Sequence, residues 1–196
     1  FFWLMGMMYT TKLLDGLDGL SAGVVFIGAF FIGIFSLQSQ WYQPVTATLA
    51  FIFAGVLLGF LFFNWSPAKI FLGEGGSLFI GYMLAILSIL SGSKVAITLL
   101  ILGIPALDVV RVIILRFRRG KPIFSGGKEH FHHRLLALGF GPKRVVLLMY
   151  SISILLGLVA VSVQSRAKLI TFIGLVLLML LLVFFYDRAE TRPKKL

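Results

Sequence analysis

The chain of 196 residues contains no cysteine. Disulfides and thiol chemistry are excluded, and the redox compartment leaves no mark on the sequence. Acidic residues are scarce as well: seven Asp and Glu stand against 18 Lys and Arg, a net charge of +11. Only 13% of residues are charged, where a soluble domain carries about 25%. Hydrocarbon fills the space instead. Hydrophobic residues make up 59% and the mean hydropathy is +1.03. A soluble domain has roughly 45–50% apolar residues, so the composition defines an all-α polytopic membrane protein. In such a protein basic loops face anionic lipids and anionic substrates, and no nucleic-acid partner is expected.

Apolar segments of about spanning length lie near residues 19–37, 44–63, 77–93, 95–115, 145–164 and 169–186. The opening FFWLMGMMY is too short to span and lacks the basic start of a signal peptide. It is read as the end of a helix that begins outside the chain, which makes the chain a fragment. The expected fold is therefore about six complete transmembrane helices plus the end of a seventh, in a single transmembrane domain over residues 1–196. Pro105 lies mid-segment and is expected to bend or break its helix. Trp41 and Tyr42 read as an interfacial aromatic belt.

One set of loops holds Lys12, Lys69, the basic cluster from Arg111 to Arg144 and the tail DRAETRPKKL, 15 of the 18 basic residues. The other set holds only Lys94, Arg166 and Lys168. The positive-inside rule predicts that the rich side and the C-terminus are cytoplasmic, in a multi-pass protein of the cell membrane. Charged groups crowd one face rather than pairing in mid-bilayer, which argues against a transporter.

Three polar clusters fall on that face. In TKLLDGLDGL, Asp15 and Asp18 share a face if the segment is helical, or cap the helix that follows. Carboxylates beside hydrocarbon are costly and usually functional. In NWSPAKIFLGEGGSLFIGY, Gly73, Gly75 and Gly76 surround Glu74, and Ser77 is expected to open the next span. Glycine-rich backbone entering a helix offers N–H groups to an anion, and Glu74 is a hard ligand suited to Mg²⁺; a plain helix cap is the alternative. In KEHFHHRLLALGF, His130, His132 and His133 lie among Arg116, Arg118, Arg119, Lys121, Lys128 and Arg134. Zinc is disfavoured, because cysteine is absent and the spacing does not put three histidines on one helical face. A phosphate- or uridine-binding loop fits better, with Leu135, Leu136 and Leu138 on the membrane surface. Asp108 either pairs with Arg111 at i+3 or contacts substrate. Acids for a metal, with N–H groups and cations for phosphate at a lipid surface, suit phosphoryl transfer onto a lipid.

The segments LLDGLDGLSAG (13–23), NWSPAKIFLGEGGSLFIG (64–81), IPALDVV (104–110) and EHFHHRLLALGF (129–140) occur in this order. They resemble four motifs of the polyprenyl-phosphate N-acetylhexosamine-1-phosphate transferase family: NxxDGxDGLA, NxPAKxFMGDxGSLxLG, a P-I-L-D helix and HxHHRLL. The resemblance implies transfer of a sugar-1-phosphate, N-acetylglucosamine-1-phosphate in the favoured branch, from a UDP-N-acetylhexosamine to polyprenyl phosphate. UMP leaves, and a cell-wall or surface glycan begins on the lipid. Mg²⁺, or Mn²⁺ in its place, is the implied cofactor, membrane lipids are the implied surroundings, and a homodimer is compatible. Glu74 stands at the metal-binding position and joins Asp15 and Asp18 as implied catalytic residues. Lys12, Asn64, Lys69, Asp108, His130, His132, His133 and Arg134 stand at implied substrate-binding positions.

The chain departs from the pattern in places. Tyr9 and Lys12 stand where Asn is usual, Glu74 stands where Asp is usual, and the family's upstream DDxxD motif is not in the chain. Two apolar segments after the histidine loop, and HxHHRLL itself, favour the N-acetylglucosamine branch over the muramoyl-pentapeptide branch. An inactive membrane scaffold is the alternative of another class.

Overall fold

The computed structural model describes residues 1–38, 42–90, 95–118, 120, 130–162, 170, 171, 173, 174 and 177. Among them lie eight helices and no strand: α1 (Phe2–Leu14), α2 (Leu20–Ser36), α3 (Pro44–Asn64), α4 (Gly73–Leu90), α5 (Val95–Ile101), α6 (Gly103–Arg118), α7 (Phe131–Ala137) and α8 (Pro142–Ser162). The central element is α2, which packs against α3, α8, α4 and α5. Its sequence is apolar all round, as a helix enclosed by others requires, and Leu20, Val24, Val25, Ala29 and Ile32 are buried. The outer helices bury one side only. Val45, Ile52, Val56 and Phe62 of α3 and Leu147, Leu155 and Leu158 of α8 are exposed, which is the surface hydrocarbon would cover.

By length and composition α3, α4 and α8 can each cross a membrane, and α5 with α6 forms a fourth candidate. The helix α2 is apolar but has 17 residues, and α1 has 13. Among the described residues, α2, α3, α4, α5 with α6, and α8 fall on the first five of the six expected apolar segments, and three or four of them meet the length of a span. Of the segment 169–186 only residues 170, 171, 173, 174 and 177 are described, and the basic tail and Trp41 lie outside the described residues; Tyr42 is exposed.

The expected span 95–115 is two helices bent by 75°. Pro105 is the cause. It has no N–H to give to the carbonyl four residues earlier, that of Ile101. The Ser153 hydroxyl of α8 donates to that carbonyl instead, at 3.2 Å. On either side the ladder continues, from Leu102 N–H to Thr98 O and from Ala106 N–H to Leu102 O.

Helices α1 and α4 cross at backbone distance. A Cβ on Gly81 would lie 2.2 Å from Thr11 Oγ1 and 2.8 Å from the Met7 carbonyl oxygen. The Thr11 hydroxyl reaches the Ser77 carbonyl at 2.8 Å. Trp3 Nε1 donates to Ala85 O and Ser88 Oγ. Small residues at a crossing with polar links across it are how membrane helices associate where burial of hydrocarbon gives no drive.

Candidate functional site

The polar clusters meet where α1 and α3 end and α2 and α4 begin. Residues 15–19 form a turn rather than a helix, so Asp15 and Asp18 do not share a helical face. Neither caps α2, whose N-cap is Gly19 at φ 78°, a left-handed conformation open to glycine. Asp18 Oδ2 instead accepts the Ala68 N–H at 3.1 Å. The Gly19 N–H donates to Asn64 Oδ1 at 3.0 Å, and Asn64 Nδ2 donates to Ile70 O at 2.9 Å. Asn64 is buried, and both ends of its amide tie the two loops together. On the other side, the Tyr150 hydroxyl of α8 donates to Gly19 O at 2.5 Å. A Cβ on Gly23 would sit 1.8 Å from that hydroxyl, so only glycine lets the ring in.

Helix α4 starts at Gly73, which places Glu74, Gly75 and Gly76 in its first turn. Ser77 lies inside the helix and donates to Glu74 O at 2.9 Å; it does not open the span as expected. No atom lies within 4 Å of a Cβ built on Gly73 or Gly75, so there is open space beside the first turn at both glycines. Lys12 Nζ forms an ion pair with Glu74 Oε1. Lys69 is exposed in the loop above, its backbone N–H bonded to Phe63 O.

Asp108 satisfies the plainer of its two readings and exceeds it. Its Oδ1 accepts Arg111 Nε at 3.2 Å, while Oδ2 accepts His130 Nδ1 at 3.0 Å and the Phe131 N–H at 2.9 Å. The carboxylate thus caps α7 from another helix, and both its oxygens accept from protein donors. The rings of His130 and His132 stack at 5.7 Å and 3°, and those of His132 and His133 lie 4.3 Å apart. His132 is buried, and its Nε2 has no hydrogen-bond partner. That atom lies 2.7 Å from the position of a Cβ on Gly16, and His133 Nε2 lies 3.3 Å from it, so the histidine helix seats on the DGLDG turn. Burial, with the neighbouring His133 and His130, pushes His132 down to about 4. His132 is therefore neutral near pH 7. His133 and Arg134 are half-buried on the same helix.

Asp15 is the contrasting group. Burial pushes its carboxyl up to about 6, and among the described residues that carboxylate has no hydrogen-bond or ion-pair partner. A desolvated, unpartnered carboxylate suits a hard divalent cation. Glu74, the expected metal ligand, does not fit as it stands, because Lys12 engages it. Among the described residues no group of three or more Asp, Glu or His is assembled as a metal cage.

Tyr150 and Thr11 escaped the sequence reading. The signal for Tyr150 was the pair Gly19 and Gly23, one turn apart at the start of α2, where small residues admit a neighbour.

Fold and site together define a helical membrane protein with a polar, carboxylate-bearing cluster at one end of an apolar bundle. The chain belongs to glycosyl transferase family 4, whose model matches residues 1–92. A probable undecaprenyl-phosphate N-acetylglucosaminyl 1-phosphate transferase of Bacillus subtilis is 36% identical over 194 residues, 96% of this chain and 53% of the relative. A decaprenyl-phosphate N-acetylglucosaminephosphotransferase of Mycobacterium leprae is 36% identical over 79% of this chain and 44% of its own length. A phospho-N-acetylmuramoyl-pentapeptide-transferase of Oceanobacillus iheyensis is 36% identical over 83% of this chain and 50% of its own. The chain spans about half the length of the curated relatives it matches.

Proposed function

We propose that the chain carries the nucleotide-sugar side of a membrane phosphotransferase. The enzyme moves N-acetylglucosamine-1-phosphate from its UDP derivative to polyprenyl phosphate and releases UMP. The observation that carries this reading is the meeting of the DGLDG turn, the 64–74 loop and the histidine helix at one end of an apolar bundle. The names of the Bacillus and Mycobacterium relatives support it. The polar end faces the cytoplasm, where the basic loops hold a UDP-sugar against the bilayer surface; a reporter fused after Leu196 should read as cytoplasmic.

In this reading Lys69 and Arg134 supply positive charge to the diphosphate, and the open first turn of α4 offers N–H groups to it. Asp18 and Asn64 fix the turn against the loop, and Asp108 fixes the histidine helix on the turn, so the donors are held in place before substrate arrives. Mg²⁺, when bound, would neutralise diphosphate charge, and Asp15 is the carboxylate free to hold it.

The test uses membranes from cells expressing residues 1–196, with and without the N-terminal half of the Bacillus relative as a separate chain. UMP release dependent on polyprenyl phosphate is measured with UDP-N-acetylglucosamine and, in parallel, UDP-N-acetylmuramoyl-pentapeptide. Release with the first donor is expected only when both halves are present. Release with the pentapeptide donor alone would move the chain to the muramoyl branch. No release with either donor from the two halves together would favour a scaffold.

A further inference from the structure

Tyr9, Lys12 and Glu74 are three positions at which the motifs of this chain depart from the pattern they resemble, and the structure brings all three together. Tyr9 and Lys12 lie one turn apart on α1, with Lys12 Nζ 5.9 Å from the centroid of the Tyr9 ring. The same ammonium pairs with Glu74 in the first turn of α4. The crossing at Gly81 holds the two helices in that register. The Lys12 side chain is 35% exposed and that of Glu74 69%. Water and salt therefore screen the pair, and it is exchangeable rather than locked.

We propose that the Lys12 ammonium is a built-in competitor for a divalent cation at Glu74. With Lys12 in place the carboxylate already has its counter-charge. A divalent ion reaches it only by displacing the ammonium, and is repelled by that charge while it remains near. The Tyr9 ring, on the other flank, favours keeping the ammonium at this rim. Metal affinity at Glu74 is then set by the pair, not by the carboxylate alone. The inference rests on the phosphotransferase reading for the class of ligand, but its test does not.

Mn²⁺ alone is titrated into the purified 196-residue chain in detergent, without sugar donor or lipid, and free Mn²⁺ is read by electron paramagnetic resonance. The variants are Lys12→Asn, Lys12→Gln, Glu74→Gln and the double variant Lys12→Asn/Glu74→Gln. Lys143→Asn controls for loss of one exposed charge, and circular dichroism checks that each chain keeps its helices. Both Lys12 variants should bind Mn²⁺ more tightly, by about threefold to tenfold. Lys143→Asn should bind as the unsubstituted chain does. Most of the gain should vanish when Lys12→Asn is made in the Glu74→Gln background. Unchanged affinity in both Lys12 variants, the full gain without Glu74, or no Mn²⁺ binding by any variant would each overturn the proposal. A chain inactive in the UMP assay still reports on this one, so the two readings fail separately.

Discussion

Asp108 and Glu74 are both carboxylates at the polar end of the bundle, each beside a basic partner, yet they do opposite things. Asp108 is buried and takes hydrogen bonds from Arg111, His130 and the Phe131 backbone. Glu74 is exposed and meets one ammonium. A buried carboxylate must have its lone pairs satisfied by the fold. An exposed one is satisfied by water and stays free to exchange. Burial and donor count, not residue type, separate the acid that builds the site from the acid that can bind.

The sharpest way to break this contrast is Asp108→Asn. It leaves His130 and Arg111 facing a neutral amide, at a cost of about 3 kcal/mol. Thermal unfolding in detergent should register it. With the histidine helix displaced, turnover with the complementing half should fall by about 100-fold. Glu74→Gln should leave unfolding within about 1 kcal/mol of the unsubstituted chain.

A second contrast, between His132 and Asp15, is read by pH. From pH 6.5 down to about 4 the unfolded chain holds a proton on His132 that the folded chain refuses, so acidification removes stability. From about 6 down to 3.8 the folded chain holds a proton on Asp15 that the unfolded chain lacks, so acidification adds stability. The two oppose each other between pH 6 and 4. In metal-free buffer, Asp15→Asn should steepen the loss of stability on acidification in that window, and His132→Asn should reverse its sign. Parallel unfolding curves for the three chains would remove both assignments.

Smaller effects follow at the turn itself. Gly23→Ala drives a methyl into Tyr150 and should cost about 2 kcal/mol. Tyr150→Phe removes only the hydrogen bond to Gly19, for about 1 kcal/mol. If the hydroxyl positions the turn, Tyr150→Phe should lower kcat in the complemented assay more than it raises KM. Lys12→Met, which breaks the exposed pair, should change stability least, by under about 1 kcal/mol.

Much of this could be read in advance from hydropathy. The segments 19–37 and 44–63 sit almost where α2 and α3 do, because long apolar runs have one stable form in lipid. Pro105 announced the bend. The start of α4 was misread, since Gly73, Gly75 and Gly76 look like loop while their flexibility only positions the first turn. The members of the site were legible as types, three acids and three histidines near one face. Their division of labour was not. Nothing in IPALDVV says that Asp108 will be consumed by a residue 22 positions away. Nothing in FHHR says that His132 will be covered by a glycine turn. Those are outcomes of long-range packing, to which local sequence is blind.

The bend between α5 and α6 has an evolutionary side. It is specified in two places: at Pro105, which deprives the Ile101 carbonyl of its donor, and at Ser153, which supplies another. Losing the serine alone strands a carbonyl in an apolar interior. Losing the proline alone returns the carbonyl its ordinary partner and leaves the serine idle. Descendants should therefore shed the proline first and the serine afterwards, and a lineage with a straight helix here should have no reason to keep a hydroxyl on α8.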